Sequence, residues 1–454
     1  MFGRSSRTVR PPTGRVDPMS GIAADVGLTM LIAIPLLLVI GVPISVSMGV
    51  GSVLAMLAVF NLDRVAITAA QRTFTGINSF SLLAIPFFVL AGVIMNNGGI
   101  AQRLINFAKA LIGFVPGSLA QANIFANMLF GAISGSGVAA AAAIGSAIGP
   151  QEKAEGYDPR FSAAANTASA PSGMLIPPSN IFIIYSLASG GTSVAALFVA
   201  GYVPGVLWGL CCMLVALYFA RKYKYRSEFT HGLAAKLRVA VEAIPALLLI
   251  VIIVGGIISG VFTPTEASCI AVVYALALSL AYRSIRISQI PGFLLDASKT
   301  TGMIIFMIGV SSIMAWIMAY AKIPGYIAET LLSVTDSPVA ILLMMNVIML
   351  LLGCVMDPTP AVLIFAPIFL PVALSLGIDI VHFGVIMVFN LSIGTITPPV
   401  GPILFTGCKI AGLRIEDVFK PLLPYFVALV AVLMAVTYLP ALSLWLPKAA
   451  GLMN

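Results

Sequence analysis

Apolar residues run in long blocks along most of this chain, and polar residues are confined to the short joints between them. The blocks lie near 27–42, 45–61, 81–97, 161–189, 204–220, 243–260, 266–282, 301–320, 382–408 and 421–445. Each approaches or exceeds the roughly 17 to 25 residues that an α-helix needs to cross a bilayer, so each predicts a span. Two more apolar segments, 119–150 and 338–373, are split by a knot. The knots are Ser134-Gly135-Ser136-Gly137 and Asp357-Pro358-Thr359-Pro360. A knot lets a segment enter the membrane and turn back, so both segments are read as re-entrant hairpins. The stretch 101–115 is instead apolar on one face only and predicts a helix lying along the membrane surface.

Composition agrees with that solvent. Of the 454 residues 60% are hydrophobic and only 9% charged, and the mean hydropathy is +1.08. Such a chain cannot cover a water-soluble globule with polar surface, and a transmembrane barrel would show short alternating segments instead. The fold class expected is an all-α polytopic membrane protein. A net charge of +8 sits in the joints and orients the protein, so no nucleic-acid partner is inferred. The five cysteines (Cys211, Cys212, Cys269, Cys354, Cys408) form no CxxC or Cys/His grouping and read as small core residues. His231 and His382 belong to different surroundings, so no catalytic set is visible.

Charge also sets the expected topology. The densest basic joint, with Arg221, Lys222, Lys224, Arg226, Lys236 and Arg238, falls between two halves of the chain and should be cytoplasmic. Counting spans outward puts Arg103, Lys109, Lys153, Arg160, Arg283, Arg286, Lys409, Arg414 and Lys420 on the same side, and both termini outside. Residues 1–26 are read as a polar leader; a start at Met19 or Met30 would account for Arg4, Arg7, Arg10 and Arg15 standing on the wrong side. The first half, 27–220, contains hairpin 119–150 and a broken helix at 161–189. After the linker 221–242, the second half, 243–445, contains hairpin 338–373 and a broken helix at 382–408, and 446–454 is a tail. Each half has an odd number of crossings, which makes the expected repeat an inverted one.

The halves match at a shift of 221: Pro150 with Pro371, Gly156 with Gly377, Gly173 with Gly394, and Pro177-Pro178 with Pro398-Pro399; a shift of 222 pairs Gly131 with Gly353. Independent kinks in a chain with 41 Gly and 29 Pro are the plainer alternative. Paired interruptions in corresponding positions of two halves point to a transport site made from broken helices. Irregular backbone survives in hydrocarbon only when buried in protein or lining a polar cavity. Ser134, Ser136, Ser172 and Ser179 surround the first interruption, and Thr359, Thr395 and Thr397 the second. Hydroxyl and carbonyl oxygens without a carboxylate cluster suit Na⁺ and suit Zn²⁺ or Ca²⁺ poorly; each hydroxyl could equally bond back to its own helix. Asp357 is read either as an ion or tip-closing group or as a helix cap, Glu266 as a helix-start carboxylate, and His382 as a packing residue.

The motifs LLAIPFFVLAGVIMNNGGIAQRL, SGSGVAAAAAIGS, LIPPSNIFIIY, GVFTPTEAS, MDPTPAVLIFAPIFLP and GIDIVHFGVIMVFNLSIGTITPPVGPILF closely resemble the large membrane subunit of tripartite ATP-independent periplasmic (TRAP) transporters of the dicarboxylate and sialic acid type. The resemblance covers residues 27 to 445. It implies an inverted-repeat elevator-type fold of the ion transporter superfamily and sodium-driven import of an organic acid across the bacterial inner membrane. It also implies a small membrane subunit, here a separate chain, and a periplasmic substrate-binding protein. No cofactor is implied beyond Na⁺ as coupling ion.

On that resemblance one ion is expected among Ser134, Gly135, Ser136, Gly137, Ser172, Gly173 and Pro177. A second is expected among Gly353, Asp357, Thr359, Gly394, Thr395, Thr397 and Pro398. The substrate is expected to face Ser136, Pro178, Ser179, Asn180, Pro358, Pro399 and Gly401. One departure is Ala140, where relatives often carry Asp. The competing readings are a stand-alone sodium or proton exchanger of the same superfamily and, from GCVMDP, an intramembrane aspartyl protease that lacks a second acid.

Overall fold

A computed structural model describes residues 18–225, 233–335 and 337–453. The basic leader up to Asp17, with its four arginines, and the linker residues Arg226 and His231 lie outside the described residues, as does Asn454. All regular structure described is helical. In the first half the helices are α1 (Pro18–Val39), α2 (Ile44–Leu57), α3 (Leu62–Ile77), α4 (Ala84–Asn97), α5 (Ile100–Ile112), α6 (Ser118–Ser134), α7 (Gly137–Ala154), α8 (Pro159–Ser169), α9 (Ser172–Leu175), α10 (Asn180–Ala188) and α11 (Val194–Tyr223). The second half contains α12 (Leu233–Ile258), α13 (Pro264–Ala281), α14 (Ile290–Tyr320), α15 (Ile323–Val334), α16 (Pro338–Gly353), α17 (Pro358–Ser375), α18 (Ile380–Gly394), α19 (Pro402–Ala411), α20 (Ile415–Tyr438) and α21 (Ala441–Ala449). Among the described residues eight helical stretches are long and apolar enough to cross a membrane.

The helix ends follow from local chemistry. Thr263 caps α13 in a box with Glu266: the Thr263 hydroxyl accepts from the Glu266 N–H while the Glu266 carboxylate accepts from the Thr263 N–H at 2.8 Å. That carboxylate is therefore a cap, as expected of it. Asp158, with Pro159 after it, and Asp379 start α8 and α18 by simpler caps, their carboxylates accepting from the N–H of Arg160 and of Val381. α5 buries Ile100, Leu104, Ile105 and Ala108 on one face and exposes Gln102 and Leu111 on the other, as its amphipathic pattern predicts.

Hydropathy misplaced several boundaries. α11 starts ten residues before the predicted span because Ser193 caps it, accepting from the Ala196 N–H at 3.2 Å. α14 starts at Ile290 rather than near 301, since Asp296, Lys299, Thr300 and Thr301 diluted the apolar signal. The predicted span 421–445 is two helices: Pro440 follows α20, and Leu439 before it leaves the α region. α3 was not anticipated because Asp63, Arg64, Gln71 and Arg72 make it too polar for a span; it packs along α14.

Among the described residues packing forms two main bodies of core and a small third one of Met128, Ala132 and Ile176. A smaller cluster joins α1, α2 and α14 through Val26, Met30, Met48, Met56, Val310, Ile313 and Ile317. A larger one contains both hairpins and both broken helices, with α4 lying along α13. α6 and α7 form the first hairpin, α16 and α17 the second. The first broken helix is α8, α9 and α10; the second is α18 and α19. Each hairpin's second helix leans on the far piece of the other half's broken helix: α7 on α19, and α17 on α10.

The basic joints meet one another. The Arg103 guanidinium lies over the Tyr282 ring, 3.3 Å from its centroid, next to Arg283. Lys109 donates to Gln151, beside Lys153. Tyr157 stacks on Tyr225 at 4.2 Å, and the Tyr225 hydroxyl accepts from the Asp158 N–H. These joints therefore share one end of the bundle.

Candidate functional site

A cavity of about 600 Å³ lies where the two hairpin tips approach each other. Ser134, Gly135, Ser136 and Gly137 line it from the first hairpin, Asp357, Thr359 and Pro360 from the second, and Asn180 and Thr395 from the two broken helices. Its remaining wall comes from other helices: Ile44 and Ser45 of α2, Gly92 and Asn96 of α4, Thr300 and Met307 of α14. The cavity thus sits between the hairpin assembly and the helices around it.

Its shape depends on glycine. Gly135 closes α6 in the left-handed region at φ +61, and a Cβ there would stand 3.0 Å from Asn180 Nδ2. Ser136 then starts α7, its Oγ accepting from the Ala139 N–H at 3.3 Å. A Cβ on Gly92 would press within 3.3 Å of the Ser134 carbonyl. Deeper in, Gly131 crosses Gly173 and Gly353 crosses Gly394, backbone on backbone. Two of the glycine pairs matched between the halves, Gly131 with Gly353 and Gly173 with Gly394, are thus the ones that touch within each half.

At the second tip Asp357 Oδ1 accepts from the Thr359 N–H at 3.0 Å and caps α17, with Pro358 at its first position. Asp357 is the only ionisable side chain among the cavity-lining residues described. Three helix N-termini, those of α7, α10 and α17, open onto the cavity. Their unpaired N–H groups and dipoles favour an anion. Side chains cap α7 and α17; Ser179, at the start of α10, makes no such cap.

Other predicted residues lie outside the lining or, as with Thr395, have their hydroxyl already engaged. Ser172 is buried and donates to the Ser169 carbonyl at 2.7 Å, and Ser179 donates to the Met174 carbonyl. Thr395 donates to the Ser392 carbonyl at 2.6 Å, and Thr397 to that of Ile393 at 2.8 Å. These hydroxyls bond back within their own broken helices. Gly173, Gly353 and Gly394 are crossing points behind the cavity, while Pro177, Pro178, Pro358 and Gly401 are buried outside its lining. Pro399 is exposed. Thr397 and Pro398 line a second, apolar groove with Phe419, Leu422, Leu423 and Phe426. The peptide bonds Pro177-Pro178 and Pro398-Pro399 are both cis.

Sequence reasoning missed the asparagines. Asn127 Nδ2 donates to Asn166 Oδ1, Ser169 Oγ and Asn123 Oδ1, each at 3.0 Å, and Asn166 Nδ2 donates to the Ala141 carbonyl at 2.9 Å. In the second half Asn390 Nδ2 donates to Asn346 Oδ1 at 2.8 Å, and Asn346 Nδ2 to Thr437 Oγ1 at 3.2 Å. Each hairpin is thereby tied to its own broken helix. The signal was available, since an amide inside an apolar helix is costly without a partner. His382, expected as a packing residue, is buried with Nδ1 at 2.6 Å from Ser443 Oγ and Nε2 at 3.3 Å from the Thr437 carbonyl.

Comparison with known proteins identifies the family. The family model described as "Tripartite ATP-independent periplasmic transporter, DctM component" matches residues 31–442. The chain belongs to the DctM family of TRAP transporters. Among relatives, an uncharacterized protein YgiK of Salmonella typhimurium is 54% identical over 91% of this chain and 95% of its own length. The C4-dicarboxylate TRAP transporter large permease protein of Pseudomonas aeruginosa is 42% identical over 89% of this chain and 95% of its own. The structure of the YdaH transporter of Alcanivorax borkumensis aligns with a TM-score of 0.61 over 94% of this chain and 98% of that one, at 13% identity. That likeness shows a shared fold. This DctM-family chain is therefore a multi-pass membrane permease subunit, and the cavity between its hairpin tips is its candidate transport site.

Proposed function

We propose that this permease binds and carries a small organic acid across the bacterial inner membrane, driven by sodium ions and moving its hairpins and broken helices as one body. The observation that carries the proposal is the cavity joining both knots, with three helix N-termini directed at it and a single carboxylate in its lining. Helix N-termini suit the anion, while Ser134 and Ser136 oxygens and the hairpin-tip carbonyls suit a weakly coordinating cation. Moving one charge through 100 mV is worth about 2.3 kcal/mol, so sodium in excess of the acid's charge concentrates it.

The repeat supports an inverted arrangement, because matched glycines and prolines recur in hairpins and broken helices that brace each other crosswise. With the joints of Arg103, Lys109 and Tyr225 facing the cytoplasm, both termini lie outside. The partners proposed are a small membrane subunit and a periplasmic binding protein that delivers the acid; the chain acts as a transporter and not as an enzyme. Reconstitution in vesicles tests this. Uptake of dicarboxylates, sialic acid or related sugar acids is expected only with both partners and an inward sodium gradient. Full uptake by this chain alone would assign it instead to a stand-alone exchanger.

A further inference from the structure

Glu152 stands in the last turn of α7, next to the charged joint from Lys153 to Arg160 and outside the eight apolar stretches. It is fully buried, and neither carboxyl oxygen has an aligned hydrogen bond among the described residues. Five more buried polar atoms around this corner also lack one: Ser118 Oγ and Asn123 Nδ2 of α6, the Tyr157 hydroxyl, Ser162 Oγ of α8 and the Tyr425 hydroxyl of α20. The charged or titratable neighbours are Lys109 of α5, Glu155 just after α7, the Tyr157, Tyr225 and Tyr425 hydroxyls, and, beyond Tyr425, Cys212 of α11. Lys109 is bonded to Gln151.

A cluster like this is rare, since buried polar groups are nearly always satisfied. An ionised carboxylate without aligned partners is costly to bury and takes up a proton in preference. Burial pushes the Glu152 carboxyl up to about 7, with Ser162, Asn123 and Lys109 pulling it down and Glu155 pushing it further up.

We propose that Glu152 is a proton-binding site on the first hairpin, with Asn123 Nδ2 and the Ser162 hydroxyl placed to donate to its carboxylate when the proton leaves. Water at the charged joint supplies the proton and takes it back, and no other bond is made or broken. The site's existence stands apart from the transport reading; its use in a transport cycle rests on that reading.

Infrared difference spectroscopy of the purified chain in lipid, stepped from mildly acidic to mildly alkaline pH, tests the site without substrate or partner subunits. The parent is expected to lose a protonated-carboxyl carbonyl band over this range. Glu152→Gln, nearly isosteric, should lack that band throughout. Ser162→Ala should move the loss to higher pH, because a donor to the carboxylate is gone. Identical spectra for the parent and Glu152→Gln would overturn the proposal. So would a band that persists at alkaline pH, or one that disappears on adding sodium at fixed pH, which would mark a cation site instead. Failure here would leave the transport reading intact, and failed uptake would leave this result intact.

Discussion

Asn390 donates to both the side-chain and backbone oxygens of Asn346, at 2.8 and 2.9 Å, and so pins α18 to α16 inside an apolar core. Asn346→Leu takes away one of the two acceptors of Asn390 Nδ2, leaving the backbone oxygen alone, and should lower stability by about 0.5–1.5 kcal/mol. Replacing both asparagines by Leu should recover most of that loss, because no half-paired amide stays buried. Unfolding of the purified variants measures both; a double variant as weak as the single one would contradict the pairing.

Glycine crossings make a second contrast. Gly173→Ala would put a Cβ onto the Gly131 backbone and should destabilise by about 1–3 kcal/mol through forced separation. Gly149, within α7, has nothing within 4 Å of such a Cβ, so Gly149→Ala should be neutral or stabilising by up to about 1 kcal/mol. Melting temperatures that fall equally for both would refute the crossing.

Much of this was legible in the chain. The hairpins, their knots and the broken helices stood out because Gly and Pro interrupt long apolar runs, and Pro177-Pro178 and Pro398-Pro399 mark joins where helical hydrogen bonding must stop. What a hydroxyl does at a join was not legible. Thr397 and Thr395 are two residues apart, yet one faces an apolar groove and the other the cavity. That choice is made by packing against α20, which no local pattern encodes. The asparagine ties were missed for a related reason: their partners are 39 and 44 residues away.

Position relative to the cavity separates the predicted ion ligands. Ser136→Leu fills the cavity wall and removes the α7 cap, and sodium-dependent uptake in reconstituted vesicles should fall at least tenfold, equivalent to about 1.4 kcal/mol. Thr397→Val removes a hydroxyl already bonded to Ile393 and should leave sodium dependence close to that of the parent. The reverse order would move the ion to the groove beside Phe419.

Asp357 is a cap in this structure. Asp357→Ala should therefore lose about 0.5–2 kcal/mol, and Asp357→Asn, which still accepts from the Thr359 N–H, should retain most of the stability. Thermal unfolding of the two variants checks this; an Asn variant as unstable as the Ala variant would show that the charge and not the acceptor holds the tip.

The crosswise bracing of α7 on α19 and of α17 on α10 has a consequence for how such a permease can be divided. Neither half supplies all the neighbours on which its own returning helix rests, so each, made alone, would leave an apolar flank bare. Co-produced fragments split at the joint after Tyr225 should consequently be recovered as a bound pair, and a lone fragment should be lost to degradation.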